Sequence, residues 1–300
     1  MSLSIKQKFI LVVIVATIGF VFQGVIAFSA LNQLNATSAK VAKTQSVARI
    51  IGDSQIGAFS LSLRRTKLAY QQIDSFEQAL QEFAETQQQA LKRIENSSDS
   101  EQLKQYVNQL AYLLNQYNEE MVIWINIKRK LGVDENSGLL AQLNKSAQLA
   151  VAQVSGFAQM EQQMRRVMYV EKEHFTNNSL NDQAGFKAAI EVLNALVTEL
   201  DFSEMLPAID NYKANFNHAF EEHLLLKKQE IMLMKLLPAL EHEAQVASEF
   251  IVEQILPESI ATSNMATFNA RLIQLISAVV TASVIIILLI WTGRSINRGL

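Results

Sequence analysis

Two uncharged apolar runs bracket this chain and limit what it can fold into: FILVVIVATIGFVFQGVIAFSAL at residues 9–31 and LIQLISAVVTASVIIILLIWTG at residues 272–293. Each has the roughly 20 residues that a helix needs to cross a hydrocarbon core about 30 Å thick. The first is too long for the apolar part of a cleaved leader. No small-x-small cleavage pattern follows it, so it reads as an anchor.

All 29 acidic residues fall between the runs, from Asp53 to Glu258, whereas the tails hold only Lys6, Lys8, Arg294 and Arg298. With those four set aside, 22 of the 26 basic residues face 29 acids, so the intervening segment carries about −7. Short basic tails stay on the cytoplasmic side. The expected layout is a cytoplasmic tail at 1–8, transmembrane helices at 9–31 and 272–293, a periplasmic segment at 32–271, and a return to the cytoplasm at 294–300. The membrane would be the inner membrane of a Gram-negative cell. The chain has no cysteine, which excludes disulfides, thiolate metal sites and a cysteine nucleophile. Its negative charge and the lack of a basic stripe argue against nucleic-acid binding.

Only three prolines and ten glycines interrupt 300 residues, so the class is all-α. Turn signals stand at 71–75, 95–100, 131–138, 176–182 and 201–207, with one long helix predicted between 138 and 176. Leu103, Val107, Leu110, Leu114, Tyr117, Met121, Trp124 and Leu131 follow steps of three and four, with Lys128 the polar member of this seam. A second seam runs through Ile209, Tyr212, Phe216, Ala219, His223, Leu226, Glu230, Leu233 and Leu237. The last helix reads as continuous from about residue 205 through Pro238 and Pro257 into the second apolar run. Some 65 residues of helix outside the membrane would extend roughly 98 Å, which suits two bundles stacked end to end. A weak internal repeat agrees, since LLNQYNEEM at 113–121 echoes AIDNYKANF at 208–216. That register superposes Tyr117 on Tyr212, and Lys128 on His223.

Two cationic clusters stand out, LRRTKLAY at 63–70 and MRRVMYVEKEHF at 164–175. With the anchor pair, LGVDENSGL and AIDNYKANFNHAF, they give a chain that resembles the helical bimodular sensor domain of bacterial methyl-accepting chemotaxis receptors. The resemblance covers nearly the whole length. It implies six helices in two stacked four-helix bundles, small organic acids bound between helices, a homodimer, and a signal sent through the second span. GRSINRGL resembles the entry of a HAMP linker, although Gly299 stands where that family usually has proline. The expected function is the input half of a longer, non-enzymatic receptor with cytoplasmic signalling partners. Histidine kinase or cyclase input halves, and a ligand-free stalk that binds a periplasmic protein, are the alternatives.

On a helix Arg165, Tyr169 and Lys172 share one face, as do Arg64 and Lys67. Guanidinium groups grip carboxylates bidentately, and a nearby lysine adds a second charge. The expected ligand residues are therefore Arg64, Lys67 and Tyr70 in one cluster and Arg165, Arg166, Tyr169 and Lys172 in the other. The structural alternative pairs them with Glu161, Glu171, Glu173 or a carboxylate on a neighbouring helix. Glu171-x-x-His174 is half of a di-metal signature, and no second half is present, so neither a metal nor another cofactor is expected. His223 reads as a hydrogen-bonded core histidine.

Overall fold

A computed structural model describes residues 5–177 and 183–297. It divides into two compact units, one comprising residues 1–51 with 246–300 and the other 52–245. Every long element is a helix: α1 (Ile5–Thr66), α2 (Ile73–Ser97), α3 (Glu101–Leu131), α4 (Gly138–Val154), α5 (Ala158–Asn177), α6 (Gln183–Glu199), α7 (Leu206–Phe250) and α8 (Leu256–Asn297). No strand occurs among the described residues.

In the first unit, α1 and α8 carry the two apolar runs, and both are long and apolar enough to cross a membrane. Their large side chains face outward. Phe9, Phe20, Phe28, Leu275 and Ile287 are each more than 60% exposed, an apolar surface suited to hydrocarbon rather than water. The two helices approach closely at Gly19, where a Cβ would lie 2.6 Å from the Thr281 methyl group. Pro257 cannot donate a backbone hydrogen bond. A π-turn at Ile251–Ile255 just before it widens the helix, with Leu256 N–H reaching Ile251 O, and the axis continues. Pro238 sits inside α7 on an exposed face, where water can reach the carbonyl it leaves unpaired.

The second unit is a set of packed helices whose seams are those of the sequence. Leu103, Val107, Leu110, Leu114, Tyr117, Met121 and Trp124 of α3 are all buried, as are Ile209, Tyr212, Phe216, Ala219, His223, Leu226 and Leu233 of α7. Ser100 starts α3 by accepting from Leu103 N–H at 3.2 Å. The corner between α3 and α4 depends on Gly132 (φ 97°) and Gly138 (φ 57°), backbone states that favour glycine. Ser137 Oγ fixes it by accepting from Val133 N–H (3.0 Å) and Asp134 N–H (3.3 Å).

The long helix expected from 138 to 176 is in fact two. Ser155–Gly156–Phe157 breaks it, with Gly156 at φ 92°. Glu161 Oε1 accepts from Gly156 N–H at 2.7 Å, and Phe157 packs on Phe202 with ring centroids 4.4 Å apart. Of the connection expected at 176–182, Thr176 and Asn177 belong to α5, and residues 178–182 lie outside the described residues.

Two neighbourhoods form within this unit. In one, Tyr117 of α3 donates to Ala58 O of α1 (3.1 Å), Ser54 of α1 donates to Gln87 of α2 (2.8 Å), and Phe76 of α2 meets Trp124 of α3 edge-on at 6.4 Å. Gln229 of α7 closes that group by donating to Glu120 O on α3 (2.8 Å). In the other, Phe186 of α6 stacks on Phe216 of α7 at 3.5 Å, Tyr212 of α7 donates to Glu171 of α5, and Gln163 of α5 donates to Ala189 O of α6 (3.1 Å). Tyr117 and Tyr212 are both buried phenols bonded to a neighbouring helix, and burial pushes the Tyr117 hydroxyl up to about 12.

Candidate functional site

The C-terminal end of α1 builds the first cluster. Its last turn tightens as Lys67 N–H reaches Arg64 O (3.2 Å) and Leu68 N–H reaches Arg65 O (3.4 Å). Arg64 and Arg65 occupy that last turn, where the exposed carbonyls favour cations. The chain then reverses through a short 3₁₀ turn, Tyr70–Gln72, into α2.

Between the end of α1 and the start of α2 lies an open cleft of about 340 Å³, lined by Leu63, Arg64, Lys67, Leu68, Gln72 and Ser75. The structure therefore brings Arg64 and Lys67 to one concavity. The side chain of Tyr70 lies outside the described residues. Among the described residues no carboxylate forms an ion pair with Arg64 or Lys67. The Arg64 guanidinium instead lies 5.8 Å from the Phe76 ring centroid.

Arg65 points the other way. Its guanidinium carbon sits 5.5 Å from the Trp124 ring centroid, and its Nε and Nη1 are buried without an acceptor, as is Trp124 Nε1. Buried donors without acceptors are costly. Adjacent residues on a helix point about 100° apart, so one arginine of the pair is at the cleft and the other faces inward. Arg65 is not among the ligand residues expected from the sequence, and its turn toward Trp124 on the α3 seam keeps it out of the cleft lining.

The second cluster has a different setting. Arg165, Arg166, Tyr169 and Lys172 all lie on the exposed face of α5, with Tyr169 65% exposed. The inward face of α5 carries Met160, Met164, Val167 and His174. Arg165 meets Glu161 at 3.5 Å, but that carboxylate also caps Gly156 through its other oxygen. Glu171, expected as a possible partner for the arginines, is bonded to the Tyr212 hydroxyl instead. Burial holds the Glu171 carboxyl above the usual range, against the opposing effects of that hydrogen bond and of Lys172. Among the described residues no three His, Asp or Glu side chains gather to hold a metal.

A third group lies where α3, α5 and α7 meet. His174 and His223 are buried with ring centroids 5.3 Å apart. Burial lowers the Lys128 pKa, partly offset by Glu230, and Lys227 lowers it further. Lys227 pairs with Glu230 at 3.0 Å. Lys128 and His223, superposed by the repeat register, are thus electrostatic neighbours in the fold. The isolated polar residues on the two seams were the sequence signal for this group.

Chemically, the α1–α2 cleft offers two long cationic side chains, an apolar wall from Leu63 and Leu68, and neutral polar groups from Gln72 and Ser75. That combination suits a small anion with a short carbon skeleton. Comparison with protein-family models, characterised proteins and solved structures finds no match for this chain.

Proposed function

We propose that this chain is the sensory input module of a two-span membrane receptor, and that a small organic anion binds in the cleft between α1 and α2. The observation that carries this reading is a pair of cations, Arg64 and Lys67, lining one cleft with no ion-pairing carboxylate from the described protein. Pairing of these cations with protein carboxylates would have favoured the ligand-free stalk.

In this proposal both termini are cytoplasmic and the segment between the spans is periplasmic, because the basic residues flanking the apolar runs lie in the short tails. The two helical neighbourhoods would then correspond to the stacked four-helix bundles that the resemblance to helical bimodular sensors implies. A ligand held by Arg64 and Lys67 at the end of α1 and by Gln72 and Ser75 at the start of α2 would draw the two ends together and shift α1 against α2. A displacement of about 1–2 Å is enough to bias a packed helical interface. Ile56, Phe59 and Leu63 leave an apolar stripe exposed on α1, which suits the homodimer that the resemblance implies. The output would be a cytoplasmic chemotaxis signalling domain; a kinase or cyclase output uses the same input chemistry. Arg165, Arg166, Tyr169 and Lys172 offer similar donors on an exposed helix face; Arg64 and Lys67 are exposed as well but line a cleft, so the primary site is assigned to them.

The test is a thermal-shift screen of the full chain in micelles against small organic acids, amines and neutral sugars. A carboxylate at a hundred times its dissociation constant should stabilise the folded state by about 2.7 kcal/mol. Stabilisation by an amine or a sugar, with every carboxylate inert, would overturn the proposal.

A further inference from the structure

We propose that the interior cluster of His223, His174 and Lys128 is an acid-responsive latch, holding α5 and α3 against α7 while His223 is neutral and releasing them when it takes up a proton. The geometry supports this before any titration is considered. His223 on α7 is 8% exposed and its Nε2 is buried without a partner, while His174 on α5 is 1% exposed. The two rings meet at 70° inside a pocket of phenyl rings: Phe220 lies 4.6 Å and Phe175 5.1 Å from His174, and Phe175 lies 5.3 Å from His223. Apolar walls can hold a neutral imidazole but cannot solvate an imidazolium.

The charges around His223 make protonation still less favourable. Those that reach it are His174 from α5, Lys128 from α3, and Lys227 and Glu230 from its own helix. Glu230 is the one carboxylate among them, and it is already paired with Lys227. Burial first, then His174, Lys227 and Lys128, lower the His223 pKa from 6.5 to about 4, against the opposing pull of Glu230. An imidazole released into water regains its ordinary value, so the closed state keeps its full advantage above pH 6.5 and loses it as the pH falls toward 4. The opening constant should rise about a hundredfold between pH 7 and pH 4.

The other buried acid nearby works in the opposite sense. Burial raises the Glu171 carboxyl, so its protonation favours the closed form. Release on acidification therefore cannot come from Glu171.

Hydrogen exchange on the full chain in micelles, corrected for intrinsic exchange chemistry, reads the opening of α5 and of the facing stretch of α7. The wild type should show a rise of up to about a hundredfold, and His223→Phe should abolish it. Lys128→Met should reduce it, because one cation that depresses His223 is gone, and Glu171→Gln should retain or enlarge it, because the opposing protonation of Glu171 is removed. Should His223→Phe not fold, Lys128→Met decides alone. A rise that is undiminished in Lys128→Met, retained in His223→Phe, or lost in Glu171→Gln would overturn the latch.

Discussion

Replacing Arg165 with Gln should leave the ligand-free stability of this chain almost unchanged, whereas replacing Phe216 with Ala should lower it severely. Arg165 has one ionic partner among the described residues, Glu161 at 3.5 Å, in an i,i+4 pair whose side chains are 81% and 34% exposed. Pairs of that kind contribute about 0.3–0.5 kcal/mol, and water screens them. Glu161 keeps its hydrogen bond from Gly156 when Arg165 is lost, so no carboxylate is stranded. Phe216 is fully buried, stacked on Phe186 at 3.5 Å and edge-on to Phe175 at 6.1 Å. Its truncation removes a packed ring and leaves a cavity, at a cost of about 3–5 kcal/mol. In a unit spanning residues 52–245, each kcal/mol shifts the melting temperature by about 2–4 °C. Circular-dichroism melts in micelles should therefore fall by about 6–20 °C for Phe216→Ala and by less than about 2 °C for Arg165→Gln. If Arg165→Gln destabilised the protein as much as Phe216→Ala, α5 would depend on an internal ion-pair network and the exposed placement of its arginines would be wrong.

Tyr117→Phe removes the hydroxyl that bonds Ala58 O and should cost about 1 kcal/mol in a urea titration. Because burial raises the Tyr117 pKa from 10.0 to about 12, the folded state holds that proton longer than the unfolded state does. Wild-type stability should fall as pH rises through that window, and in Tyr117→Phe this fall should be smaller. Gly138→Ala places a Cβ 2.6 Å from Gly132 N and Lys130 O at φ 57° and should cost about 1–3 kcal/mol, read by thermal melting. Gly52→Ala, in mid-helix with open space around it, should instead stabilise by about 0.5–1 kcal/mol in the same assay.

What the sequence disclosed and what it hid follow from what residue spacing can encode. The α3 seam from Leu103 to Trp124 was readable because repeated apolar steps leave one face for the core, and the corner at 131–138 because its glycines and polar residues have no use inside a helix. The break at Ser155–Phe157 was not, since one serine and one glycine amid apolar residues are a weak signal, and the reinforcing Glu161 cap acts from five residues away. Spacing put Arg165, Tyr169 and Lys172 on one face but could not say which way that face turns. Met160, Met164, Val167 and His174 form the competing face, and their burial decides it. At the end of α1 the i,i+3 spacing placed Arg64 and Lys67 on one helix face, and both line the cleft. The inward turn of Arg65 became visible only with Trp124 of α3 beside it, a contact across about 60 residues.

Isothermal titration of the full chain with the carboxylate that most raises its melting temperature, repeated on Arg64→Gln and Lys67→Gln, decides whether the α1–α2 cleft holds the ligand. Each substitution should remove a charge-assisted contact of about 1.5–3 kcal/mol and weaken binding roughly ten- to a hundredfold. Ligand-free melting temperatures should stay within about 2 °C of wild type, because neither side chain forms an ion pair with the described protein. Unchanged affinity in both variants, with the carboxylate still bound, would place the ligand elsewhere and contradict the assignment of the α1–α2 cleft.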